Sequence, residues 1–174
     1  MKYIDLFAGI GGFRLGIGDR GDCIYSNDNG SAAVRVYKRH FGDIDDRDIK
    51  DVAEIPDHDL LCGGFPCQSF SVAGKSQGFN DTRGTAFFEI ARILADKRPR
   101  HLLLENVKGL LSHDKGKTFQ TILRVLAELG YSVEWCVLNS KDFGVPQNRE
   151  RVYIIGTHTR REKDTIEIPQ TQPA

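Results

Sequence analysis

Asp5-Leu6-Phe7-Ala8-Gly9-Ile10-Gly11-Gly12 reads as the end of a buried strand running into a glycine-rich turn, and the apolar-periodic segment 12–19 follows at once. Open α/β sheets hold ligands at such strand–turn–helix junctions, at the carboxyl ends of their strands, where glycine lets a ligand approach the backbone. A dinucleotide-binding turn places a third glycine three residues after the second. Arg14 stands there, so a pyrophosphate reading loses ground. Asp28 follows Gly9 by nineteen residues, at the end of the next apolar run, where a carboxylate accepts bonds from both hydroxyls of a ribose. These features fit a nucleoside-bearing ligand. The alternative is a glycine-rich turn beside a helix-capping acid. Asp48-Ile49 is placed to flank an adenine in the same pocket.

Outward from this turn, short apolar runs alternate with helical periodicity. Strands are expected at 2–7, 23–26, 59–62, 101–105, 134–138 and 152–156, with a weak one near Asp48, and helices at 12–19, 31–41, 85–97 and 117–129. This alternation predicts an α/β domain with a mostly parallel sheet and helices on both faces. The length of 174 residues, 40% of them hydrophobic, suits one core. Basic and acidic side chains number 24 each, so affinity for nucleic acid must come from a local patch. No apolar run reaches membrane-spanning length and the first residues enter a strand directly, which predicts a cytoplasmic protein. Cys23, Cys62, Cys67 and Cys136 form no C-x-x-C pair and have no histidine at zinc-site spacing, so reduced thiols and no metal are expected. Segment 70–84, rich in Ser, Gly, Asn and Asp, predicts a long mobile loop.

Three further segments carry chemistry. Gly63-Gly64-Phe65-Pro66-Cys67-Gln68 follows the apolar run Leu60-Leu61-Cys62 and sets a thiol just past a strand end, behind a proline that restricts the backbone. Such a cysteine is either a nucleophile or a small buried hydrophobe. Glu105-Asn106-Val107 follows Leu102-Leu103-Leu104 and puts a carboxyl at the mouth of the sheet, as a proton donor or as a cap. Gln147-Asn148-Arg149-Glu150-Arg151 enters the last strand, and extended residues two apart share a face. Arg149 and Arg151 therefore point the same way, to hold substrate oxygens or to form surface ion pairs.

Together these four segments, in this order and spacing, resemble the cytosine-C5 DNA methyltransferases of bacterial restriction–modification systems. The resemblance runs from Tyr3 to Gly156. It implies a Rossmann-like S-adenosylmethionine-dependent methyltransferase fold. It further implies that Cys67 attacks carbon 6 of a flipped-out cytosine, that Glu105 serves N3, that Arg151 holds the carbonyl with Arg149 in support, and that Asn106 positions Glu105 and the loop. Pro66, Gln68, Ser71, Lys75 and Arg83 would meet the substrate, on a loop that closes over double-stranded DNA. For the cofactor, Phe7 is assigned to the adenine region, Gly9, Gly11 and Gly12 to the turn, Asp28 to the ribose, and Asp48 with Ile49 to the adenine. Asn29 stands where many members carry an aromatic residue, which weakens stacking on the adenine.

The resemblance divides the chain into a catalytic domain at 1–158 and a polar tail at 159–174. A target-recognition domain and the family's late Gly-Asn motif do not follow, leaving Phe13, Leu15 and Ile17 open to a second polypeptide or to self-association. Two alternatives remain at this level. One is a truncated, non-enzymatic module that binds cofactor or DNA; the other is a methyltransferase acting on cytosine in RNA.

Overall fold

The computed structural model describes residues 1–66 and 86–159. Cys67, Gln68, Ser71, Lys75, Arg83, the expected mobile loop 70–84 and the polar tail beyond residue 159 lie outside the described residues. In chain order the main elements are β1 (Lys2–Leu6), α1 (Gly12–Ile17), β2 (Asp22–Asn27), α2 (Ser31–Phe41), β3 (Leu60–Gly64), α3 (Ala86–Lys97), β4 (His101–Val107), α4 (Lys117–Glu128), β5 (Tyr131–Asn139) and β6 (Glu150–His158). The six strands form one sheet in the order β2-β1-β3-β4-β6-β5. From β2 to β4 every pairing is parallel, and β6 runs antiparallel to both β4 and β5. The sheet is thus mostly parallel, with one reversed strand inserted near an edge. Among the described residues no helix is long and apolar enough to cross a membrane.

Strand alternation sorts the side chains onto two faces. On one face Ile4, Leu6, Leu61, Leu102, Leu104, Val152 and Ile154 pack in the main core with the apolar stripes of α3 and α4. Those stripes follow the helical period: Phe87, Ile90, Ala91 and Leu94 in α3, and Phe119, Ile122, Val125 and Leu126 in α4. On the other face Tyr3, Leu60 and Cys62 form a smaller cluster, and Phe13 and Ile17 of α1 lie half-buried against it. α2 reaches this same side, where its Tyr37 hydroxyl lies 2.6 Å from the Ser26 hydroxyl of β2. Helices therefore cover both faces, but α1 is only six residues long and leaves Leu15 75% exposed.

The weak strand expected near Asp48 does not form. A single parallel bridge joins Asn27 to Asp45, and a 3-10 helix, Ile49–Asp51, takes the place of a ladder. Side chains here take up the backbone's hydrogen-bonding capacity. The Asn27 amide donates to the carbonyls of Asp45 and Arg47, and the Asp45 carboxylate accepts from the Tyr25 hydroxyl and the Arg47 guanidinium. With those groups satisfied locally, the segment has no need of a strand partner. The first helix is also shorter than its sequence period implied, because Gly18, at φ 52°, ends it and a 3-10 turn, Gly18–Arg20, carries the chain to β2.

Gly11 is fixed by two constraints at once. Its φ is +93°, and the Phe41 ring of α2 lies where a β-carbon would go. Arg14, the residue that displaces the expected third glycine, donates to the Tyr37 hydroxyl at 2.9 Å and stacks over the rings of Tyr37 and Phe41 at 5.7 and 5.1 Å. α1 is thereby pinned to α2, and the turn preceding it is held in place. Gly11→Ala should lose about 2–4 kcal/mol of folding stability from the left-handed backbone and the overpacked ring, measured by chemical denaturation.

Candidate active site

At the carboxyl ends of β1, β3 and β4 lies a cavity of about 710 Å³, a volume suited to a cofactor-sized ligand. Phe7, Gly9, Gly12 and Phe13 line it from the first turn, and Gly64, Leu103 and Glu105 from the sheet. Gly9 and Gly12 face open space, with no atom within 4 Å of a would-be β-carbon, so a ligand can reach the backbone there. Asp28 braces the turn: one carboxylate oxygen accepts from the Gly9 amide and the other from the Gly30 amide, each at 2.8 Å. A carboxylate has about four acceptor sites, so these two bonds leave capacity for ligand hydroxyls.

The reversed strand β6 brings the arginines to the carboxyl end of β4. Register sets Glu105 opposite Tyr153 and Val107 opposite Arg151, so Glu105 and Arg151 are diagonal neighbours. Their side chains form an ion pair, Arg151 Nε to Glu105 Oε1 at 2.7 Å, with both groups about four-fifths buried (19% and 22% exposed). Gly64 keeps this corner open, because a β-carbon there would stand 3.3 Å from Glu105 Oε2. Arg149 and Tyr153 line the 710 Å³ cavity and also a second cavity of about 330 Å³, walled by Arg151, Leu138, Phe143 and Val145. Arg149 and Arg151 thus share one face, at the join between two adjoining spaces.

Asn106 connects β4 to the loop that leads into Cys67. It is 3% exposed; its amide donates to the Phe65 carbonyl at 2.7 Å and its oxygen accepts from the Val107 amide at 2.9 Å. Phe65 is itself buried against Phe87, with ring centroids 5.6 Å apart. Pro66 follows directly, so the backbone that enters the thiol's loop is anchored from two sides.

Asp48 and Ile49 sit elsewhere. Asp48 caps the 3-10 helix through the Lys50 amide and pairs with the Lys50 ammonium at 3.1 Å, while Ile49 is buried in the main core; neither lines the cavity. Gly11 supports the turn from behind, against Phe41. Tyr153, which lines both spaces, went unread because its only sequence signal was membership of an apolar strand. Asp5, at the start of the strand–turn segment 5–12, has no role assigned by the sequence, yet it is fully buried and neither carboxyl oxygen has a hydrogen-bond partner among the described residues. Among the described residues no three His, Cys, Asp or Glu side chains gather as a metal site.

A sequence model described as C-5 cytosine-specific DNA methylase matches residues 1–173. This chain belongs to that family. It is 57% identical over 159 residues to the Type II methyltransferase M1.ScrFI of Lactococcus lactis subsp. cremoris, covering 89% of this chain and 41% of that protein. It is 51% identical over 158 residues to the Type II methyltransferase M.HhaI of Haemophilus parahaemolyticus, covering 89% and 48%. The chain spans about half the length of these curated relatives. Among solved structures, S. pombe Dnmt2 methyltransferase superposes with a TM-score of 0.74 at 24% identity, over 91% of this chain and 51% of that one. That likeness establishes the Rossmann-like methyltransferase fold.

Asn106→Ala would remove the buried amide that donates to the Phe65 carbonyl. A loss of about 1–3 kcal/mol in unfolding free energy is expected, together with faster amide exchange around Phe65, both measurable on the purified chain.

Proposed function

We propose that this chain is the catalytic half of a DNA (cytosine-5-)-methyltransferase that uses S-adenosylmethionine. The observation that carries the reading is the Glu105–Arg151 ion pair, set between a glycine-floored cavity and the strand end from which Cys67 follows. The donor set suits the cofactor: open glycines for close approach, the Asp28 carboxylate beside Gly9 for ribose hydroxyls, and the Phe7 ring on the cavity wall. When bound, S-adenosylmethionine supplies an electrophilic methyl group.

The protein's task is to make cytosine carbon 5 nucleophilic. The Cys67 thiolate adds to carbon 6, and the displaced electron pair reaches carbon 5 while Glu105 serves N3 with a proton or a hydrogen bond. Arg151 holds Glu105 in place and presents its remaining N–H groups to the base carbonyl; Arg149 supports the same wall. After carbon 5 has gained the methyl group, loss of its proton and expulsion of the Cys67 sulfur restore the aromatic base. Carbon 6 is closed off within a base stack, so the cytosine is extruded from the duplex first. Pro66, Gln68, Ser71, Lys75 and Arg83 belong to the loop assigned to hold it, within the catalytic domain proposed at 1–158.

The half-length match and the exposed apolar residues beside the cavity support one further element. Ile10 is 63% exposed and Leu15 75%, which fits a surface that the relatives' other half, in the same or a second polypeptide, covers while supplying DNA recognition. A cytoplasmic location, with DNA as partner, belongs to this proposal.

Calorimetry tests the cofactor assignment. S-adenosylmethionine should bind, and Asp28→Ala should weaken binding by about 1.5–3 kcal/mol, as for lost hydrogen bonds to a charged group. Tighter binding of NAD than of S-adenosylmethionine would overturn it.

A further inference from the structure

Asp5 is a costly residue that the chemistry above does not use. It lies on β1 in register with Ser26 of β2 and Cys62 of β3, under α1, and is completely buried. Among the described residues neither oxygen has a hydrogen-bond partner. The charged and titratable groups around it come from every packed element. Arg14 of α1 and Asp28 beyond β2 act on it electrostatically, as do Tyr3 of its own strand and Cys62 of β3. Arg14, the cation acting on it among the described residues, is committed to the Tyr37 hydroxyl and the Phe41 ring.

Desolvation, partly offset by Arg14 and reinforced by Asp28, raises the Asp5 carboxyl to about 7. The sign follows from that direction. Its contribution to stability is complete below the ordinary carboxylate range near pH ~4 and is lost as pH rises through about 7, so at neutral pH the residue weakens the fold. A hydrophobic residue at this strand position would avoid the penalty.

Its place gives the carboxyl something to act on. Phe13, Ile17 and Leu103 cover the cluster beside Asp5 and also line the 710 Å³ cavity. Phe7, just past the end of β1 at φ 54°, stands on the cavity wall. A cation in the cavity would be felt through a thin apolar layer, where screening is weak.

We propose that Asp5 is a proton-linked counter-charge for the sulfonium of S-adenosylmethionine: it gives up its proton to solvent when the cationic cofactor binds and recovers it when the neutral thioether product, S-adenosylhomocysteine, remains. This rests on the cofactor reading above. It makes Asp5 a specificity-determining residue that favours substrate over product cofactor, increasingly so as pH rises.

The test is calorimetry of both compounds with the full chain, in phosphate and in Tris at pH 7, for wild type and Asp5→Asn. Wild type should release about 0.5 proton on binding S-adenosylmethionine and markedly less on binding S-adenosylhomocysteine, with the difference absent in Asp5→Asn. From pH 6 to 8 the wild-type preference for S-adenosylmethionine over S-adenosylhomocysteine should rise roughly tenfold and stay flat in the variant. Carbon-13 NMR of the Asp5 carboxyl in wild type gives an independent readout that needs no substitution: S-adenosylmethionine should lower its titration midpoint and S-adenosylhomocysteine should not. Binding of both compounds with equal proton release in wild type and variant, or an unmoved midpoint, overturns the counter-charge and leaves the cofactor reading intact. Failure of either compound to bind wild type overturns the cofactor reading and this inference with it.

Discussion

The antiparallel pairing of β6 with β4 is the constraint on which the site depends. In a wholly parallel sheet the start of β6 would lie at the opposite end from the carboxyl end of β4, some seven residues away along the strand. Reversal of one strand brings Arg149 and Arg151, at the beginning of β6, beside Glu105 and Asn106, near the end of β4. Parallel pairing of β4 with β3 then sets Glu105 beside Gly64 and the loop entering Cys67. Three segments distant in sequence meet at one corner because of the direction of one strand.

That corner is held by few but well-satisfied polar contacts. The Glu105–Arg151 pair has 2.7 Å geometry and partial burial, which makes it stronger than a solvated surface pair such as Lys108–Glu150 at 2.9 Å. Asn106 contributes position rather than charge, because its amide fixes the Phe65 carbonyl immediately before Pro66. The glycine turn across the cavity is organised differently. Asp28 holds it from one side through Gly9, and the Arg14–Tyr37–Phe41 contact from the other through α1. A ligand between these two corners would meet rigid walls, a condition for placing a reacting atom accurately.

Much of this was legible in the sequence. The strands β1, β3, β4 and β6 and the helices α2, α3 and α4 follow from apolar runs and helical period, signals that arise from burial alone. The face shared by Arg149 and Arg151 follows from the two-residue strand repeat. The direction of β6 was not legible, because the pattern Val152-Tyr153-Ile154-Ile155 reads the same whichever way the strand runs. Asp48 misled because side-chain bonds from Asn27 and Arg47 around Asp45 replaced a strand ladder, and no periodicity records such exchanges. Asp5 stayed hidden for a related reason: a strand pattern places it in β1 but does not record whether its buried carboxyl finds a hydrogen-bond partner.

The central claim is that the corner formed by β3, β4 and β6 activates cytosine through the Cys67 sulfur. The most direct measurement is covalent trapping on duplex DNA carrying 5-fluorocytosine, with S-adenosylmethionine and the complementary half of the enzyme present. Fluorine at carbon 5 blocks the final proton loss, so the adduct accumulates. The account predicts a denaturant-stable protein–DNA complex whose cross-linked peptide contains Cys67, and none with Cys67→Ala. An adduct at another residue, or an enzyme that methylates the duplex fully with Cys67→Ala, would contradict it.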